Sequence, residues 1–203
     1  MPPPNLSMLP GFERATELWR LWKAGHSIPG AADATGVLFA SSCAAMGIAA
    51  PPGTCQPDPL GVQFLAAARP LILAWLQNRL GVDANQPVRL YRGLRHQDAQ
   101  NVRTQVGLGT PWVIRSGCLW SFTPTSGVAV GFARKRIRGL QRNAQQSGLV
   151  VAVDVQQDEI VMAENAGMCP DLAAEDEIAV ILRAPRNILQ PQLEEESVAV
   201  APF

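Results

Sequence analysis

Between Phe12 and Lys23 the apolar residues Phe12, Ala15, Leu18, Trp19 and Trp22 recur at three- and four-residue spacing. That spacing predicts one face of a helix, and Gly25 is placed to end it. The tryptophans on this face read as core packing. From Ala34 to Pro57 no residue is charged, yet the stretch is Ala-, Gly-, Ser- and Pro-rich with few large apolar side chains. A buried Ala-rich helix accounts for it better than a membrane span does. A further helix opens with Asp58 as N-cap and Pro59 in its first turn. It runs toward Leu80 and closes at Gly81, and Pro70 is expected to kink it or split it in two.

After Asn85 the pattern shortens. Val88 to Tyr91, Leu119 to Thr123, Leu149 to Val155, Glu159 to Met162 and Glu177 to Leu182 are rich in β-formers and bounded by Gly, Pro or polar residues, which predicts strands. One helix interrupts them, from about Ser126 to Arg138. Ser126 is its expected N-cap, and Val128, Phe132 and Ile137 its expected apolar face. The expected class is α+β. A helical N-terminal lobe, residues 1–85, would pack on a mixed, mostly antiparallel split β-sheet core, residues 86–203, within the same domain.

Composition narrows the function classes. In 203 residues, 47% are hydrophobic, so a core can be buried and disorder is excluded. Seventeen basic residues balance seventeen acidic ones, which gives no support to a general affinity for nucleic acid or anionic membrane. Cys43, Cys55, Cys118 and Cys169 show no C-x-x-C spacing, and only His26 and His96 could join them, so no metal site is expected. Four cysteines in 203 residues do not make a disulfide scaffold, so a reduced, cytosolic environment is the default reading, and Met1-Pro2-Pro3-Pro4 has neither the basic start nor the apolar core expected of a secretory signal.

Three segments carry candidate chemistry. In Val88-Arg89-Leu90-Tyr91-Arg92-Gly93, an apolar strand face ends in the guanidinium of Arg92, whose fork of donors suits a phosphate, and Gly93 would let a flat ligand approach the backbone. In Trp120-Ser121-Phe122-Thr123, a strand delivers a hydroxyl, and a turn and a capped helix follow. In Glu175-Asp176-Glu177, period-two alternation sets both glutamates on one face at the mouth of a buried strand, with Asp176 on the other. Carboxylates there are expensive unless something cationic binds or forms beside them. Taken singly, each has a plainer reading: a salt-bridged arginine, a strand-turn-helix unit, an acidic loop.

In this order the three segments resemble the arginine–serine–glutamate class of mono-ADP-ribosyltransferases, the cholera-toxin-like family. Its pattern is an Arg on the first core strand, a Ser-x-Ser/Thr strand, a helix with V-A-x-x-F-A, and a Glu-x-Glu pair before a later strand. Arg92, Ser121-Phe122-Thr123, Val128-Ala129-Val130-Gly131-Phe132-Ala133 and Glu175-Asp176-Glu177 match it, over roughly residues 88–183. Two departures stand out. Phe122 replaces a small hydroxyl residue, and the loop before Glu175 lacks the aromatic many members use on their targets.

The resemblance implies NAD as substrate and an arginine of a target protein as acceptor. Arg92, Gly93, Ser121, Phe122, Thr123, Phe132 and Glu177 would bind NAD, and Arg92, Ser121, Glu175 and Glu177 would be catalytic. Glu177 would stabilise the oxocarbenium-like ribose, Ser121 would hold Glu177, and Glu175 would deprotonate the acceptor guanidinium. Asn165 to Ala174 would be the target-recognition loop. A toxin or effector acting in the cytosol, its own or that of a cell into which it is delivered, is a further implication, and a toxin would bring an immunity protein or chaperone as partner. NAD hydrolysis by water and a catalytically degenerate binding module are the alternatives. The basic run from Arg134 to Arg142 reads as a solvated helix face, with an acidic or RNA target left open, and Glu194 to Glu196 as a solvated turn.

Overall fold

The computed structural model describes residues 2–25, 31–134, 148–168, 176–188 and 193–194. Three helices come first: α1 (Phe12–Ala24), α2 (Ala31–Ala45) and α3 (Pro59–Leu80). In α1 the periodic face is buried at Ala15, Leu18 and Trp19, and Gly25 ends the helix with φ 60°. The uncharged stretch is helical only to Ala45; the glycines and prolines beyond it do not continue α2. Within α2, the hydroxyls of Ser41 and Ser42 donate to the carbonyls of Val37 and Leu38, which satisfies both in the interior.

Helix α3 opens as expected, with the Asp58 carboxylate accepting from Gly61 N and Pro59 in the first turn; Gly81 closes it in the left-handed conformation at φ 66°. It is not split at Pro70. Phe64, Leu65 and Ala68 before the proline and Ile72, Trp75 and Leu76 after it are all buried. That shared burial on both sides outweighs the roughly 3 kcal/mol that an interior proline costs. The helix has 22 residues and a mean hydropathy of 1.4 over its most apolar stretch, which is long and apolar enough to cross a membrane. Its buried stripe lies in the common core, so it reads as a core helix.

The remaining elements are β1 (Val88–Leu94), α4 (His96–Gly107), β2 (Trp112–Ile114), β3 (Leu119–Phe122), α5 (Ser126–Arg134), β4 (Leu149–Val155), β5 (Ile160–Ala163), β6 (Ile178–Ile181), β7 (Arg186–Ile188) and β8 (Leu193–Glu194). They form three small sheets, ordered β1-β4-β8, β2-β7 and β3-β6-β5, and every pairing among the described residues is antiparallel. The class is α+β. One bridge ties the first sheet to the third: Tyr91 and Thr123 exchange both main-chain hydrogen bonds at 2.8 Å. A single apolar core runs from Trp19, Leu38 and Phe64 of the helices to Leu90, Phe122, Ile160 and Ile178 of the strands.

Other elements differ from expectation as well. Helix α4 was not foreseen. Helix α5 starts at Ser126 itself, and Ala129, Val130 and Ala133 form its buried face; Phe132 stays 37% exposed and Ile137 lies outside the described residues. Small residues face inward because α5 lies directly on β1 and β4. A Cβ on Gly93 would collide with the Ala129 carbonyl and come 2.8 Å from Ala133 N, and one on Gly148 would lie 2.5 Å from Ala133 O. Glu159 is not in a strand but in a 3-10 turn, 1% exposed, where its carboxylate accepts from Arg183 N and the Arg186 guanidinium. Strand β6 is buried at all four positions, as expected of a buried strand, because β3 and β5 flank it within its sheet and the core covers both sides.

Candidate functional site

Strand β1 delivers Arg92 to the junction between the sheets. Its Nη1 donates to the Ser121 carbonyl at 2.6 Å, and the guanidinium lies 5.2 Å from the centre of the Trp120 ring. Its Nε is buried with no hydrogen-bond partner. No described carboxylate makes a salt bridge with Arg92. Burial pushes its pKa below the usual arginine value, opposed first by the charge of Glu177 and then by that of Asp98. Arg92 is thus a desolvated cation with donor capacity to spare, the condition in which a guanidinium takes an anion.

Next to it, Gly93 is explained by packing: only a residue without Cβ lets the backbone of α5 lie against β1. Arg95, the residue before α4, stacks on Phe132 with 4.1 Å between guanidinium carbon and ring centre. His96 begins α4.

Strand β3 brings Ser121 opposite Ala179 and Phe122 opposite Ile178. The interaction drawn from Ser121 is its carbonyl to Arg92; no described residue bonds to its hydroxyl. Phe122 is a core side chain, 2% exposed. Thr123 makes the bridge to Tyr91, and its hydroxyl accepts from Thr125 N at 3.2 Å, shaping the turn into α5.

Glu177 sits immediately before β6 and is 6% exposed. Its Oε2 accepts from Lys23 Nζ of α1, so the carboxylate is held from the helical layer and not by Ser121. Lys23 Nζ is also 3.6 Å from Oε1 of the fully buried Glu164, in the turn after β5. The main chains join as well: Glu164 N donates to Glu177 O at 2.8 Å. Burial raises the Glu164 pKa above 4.5; Lys23 opposes the shift and the charge of Glu177 adds to it.

Asp176 had no role in the sequence reading, and the structure makes it an anchor. Arg79 of α3 donates to both of its oxygens at 2.6 Å, Asn165 to Oδ1 at 2.7 Å and Thr125 to Oδ2 at 3.0 Å. Burial by itself would raise its pKa, but the hydrogen bonds and charge of Arg79, with Thr125 and Asn165, outweigh burial and hold it below 3.8. Its backbone is left-handed at φ 48°, so period-two alternation does not pass through this residue. The common face expected for the two glutamates therefore does not follow from strand geometry. Glu175, most of the expected recognition loop and most of the basic run lie outside the described residues.

Lys23, Arg79, Glu164 and Asp176 are residues of this region that the sequence does not point to. Among the described residues no group of His, Cys, Asp and Glu is arranged to hold a metal. A cavity of about 550 Å³ between the N-terminal segment and α1, lined by Leu6, Phe12, Thr16, Arg20 and Met168, includes none of Arg92, Ser121 or Glu177.

No protein-family model and no curated protein matches the chain. Among solved structures, those it is similar to are ADP-ribosyltransferases. They are structures of Vis. The Vis toxin from Vibrio splendidus is 16% identical, with 92% of this chain and 71% of that one covered at a TM-score of 0.38. Vis in complex with agmatine is 17% identical, with 92% and 80% covered at a TM-score of 0.36.

Proposed function

We propose that the chain is a mono-ADP-ribosyltransferase that moves ADP-ribose from NAD to an arginine side chain of a target protein and releases nicotinamide. The observation that carries the reading is the convergence of Arg92 and Glu177. Arg92 on β1 and Glu177 just before β6 are remote in sequence, yet β1 bridges to β3 and β3 pairs with β6, which sets Arg92 within reach of the Glu177 charge. One is a cation with an uncommitted donor, the other a carboxylate held rigidly at a strand mouth.

That pair suits cleavage of the bond between the nicotinamide nitrogen and C1′ of the ribose. The bonding electrons leave with nicotinamide, which departs neutral and needs no general acid, and positive charge is left on the ribose. Glu177 meets that charge, and a preorganised carboxylate stabilises it without reorganising during the reaction. Arg92 takes phosphate oxygens of the dinucleotide through its free donors. Ser121 holds Arg92 through its carbonyl, and the resemblance adds Gly93, Phe122, Thr123 and Phe132 to the residues that would contact NAD. The acceptor guanidinium nitrogen then bonds to C1′, and its proton passes to Glu175 in this reading. A toxin or effector role in the cytosol, its own or a target cell's, belongs to the same proposal.

The test is incubation with tagged NAD and a cell lysate, followed by mass spectrometry of labelled residues. Label on arginine is the expected result. Nicotinamide release without label would make the protein an NAD glycohydrolase, and neither release nor label would make the site a binding module.

A further inference from the structure

The helical layer sends a cation to each described carboxylate of the acidic segment: Lys23 of α1 to Glu177, Arg79 of α3 to Asp176. The Lys23 pair is the more costly one. Its side chains are 12% and 8% exposed, and the Glu164 side chain that also faces the ammonium is fully buried. Removing such ions from water is costly, and apolar residues of the same size often stabilise a fold as well or better. Two carboxylates on one lysine make little sense as a device for stability. They make sense if the direction of one carboxylate matters.

We propose that Lys23 is a positioning residue for Glu177: it fixes the carboxylate at the mouth of β6, and Glu164 on its other side keeps the ammonium from swinging away. The proposal rests on the reading of Glu177 as the carboxylate that faces the ribose. It gives the N-terminal helices a part in the site. The groups that face Glu177 are Lys23 from α1, Glu164 from the turn after β5 and, through space, Arg92 from β1. Asp176 is already satisfied by Arg79, Thr125 and Asn165.

The test compares Lys23→Met, which keeps length and loses charge, with Lys23→Arg. Misplacing a reacting group by about 1 Å costs on the order of a hundredfold in turnover. Lys23→Met is therefore expected to lower kcat for nicotinamide release at least ~10-fold while the Kd for NAD stays within ~2-fold, and Lys23→Arg to recover most of the loss. A merely structural lysine predicts no such split and no rescue by charge. Unchanged kcat in Lys23→Met, or a loss confined to NAD binding, would overturn the proposal. If the wild-type protein releases no nicotinamide, the enzymatic reading fails, and melting curves of Lys23→Met, Glu177→Gln and the double variant still judge the pair. A coupled pair makes the double variant melt no lower than the weaker single one; simple addition of the two losses would overturn it.

Discussion

Replacing Asp176 by Asn tests the anchor of the acidic segment without changing its shape. Each carboxylate oxygen has two donors: Oδ1 serves Arg79 and Asn165, and Oδ2 serves Arg79 and Thr125. An amide has one acceptor oxygen and two N–H donors. Thr125 can rotate its hydroxyl and Asn165 can flip its amide, but Arg79 has no acceptor to offer. In either orientation one Arg79 N–H then faces another donor. The loss is one charge-assisted bond, about 1.5–3 kcal/mol, and the charge pair with it. Since the Arg79 side chain is 31% exposed, water relieves part of the penalty, and about 2–3 kcal/mol is expected rather than the 3–5 of a sealed pair. For a chain of this size that is roughly 5–10 °C in Tm at pH 7, read by circular dichroism. The pH dependence supplies a second check. The Asp176 pKa is held below 3.8, so its contribution is present above 3.8 and is lost as the pH falls through the folded value. The gap between variant and wild type must therefore narrow in strong acid. A variant that melts within about 1 °C of wild type at neutral pH, or a gap that persists unchanged below pH 3, would refute the reasoning.

Gly93→Ala drives a methyl into the backbone of α5, which cannot yield as a side chain would; a loss of about 1–3 kcal/mol is expected, whereas Gly131→Ala, with open space around it, should cost nothing in the same melt. Glu164→Gln removes a carboxyl whose pKa is raised above 4.5, and whose favourable contribution is therefore complete below 4.5 and lost as the pH rises through the folded value. The variant's Tm should improve relative to wild type from pH 4.5 toward neutrality, and the opposite trend would count against the assignment. Glu175→Gln should nearly abolish labelling of arginine while sparing much of the slow release of nicotinamide into water, measured side by side; a parallel fall of both would place Glu175 in NAD chemistry or folding.

What could be read in advance follows the range of the interactions. Helix α3 was legible from Asp58-Pro59 to Gly81 because caps are set by adjacent residues, and β4 because its apolar run is bounded at both ends. Helix α4 escaped because its sequence, HQDAQNVRTQVG, carries almost no apolar stripe; Ala99 and Val102 are what it buries. Strands β2 and β7 are three residues each and exist through pairing with each other, which no local pattern announces. The site divides in the same way. Arg92 and Glu177 stand out locally, one a charge within an apolar strand that runs on to Leu94 and the other just before one. Their partners do not, since Lys23 lies 154 residues from Glu177 and Arg79 lies 97 from Asp176.

One part of that long-range chemistry was still accessible from cost. Carboxylates at the mouth of a buried strand require a cation, and a substrate is one source of it. The fold supplies it from the helices before any substrate arrives. That changes what the substrate must do. In the proposed reaction, a ribose cation developing beside Glu177 would meet a carboxylate already shared with Lys23, and so would gain less from bare charge than an unpaired glutamate would offer. It gains more from geometry, because a carboxylate already held by Lys23 does not have to be oriented as the bond breaks. The trade favours the transition state over the bound dinucleotide, which is why the effect of Lys23 is expected in kcat and not in the affinity for NAD.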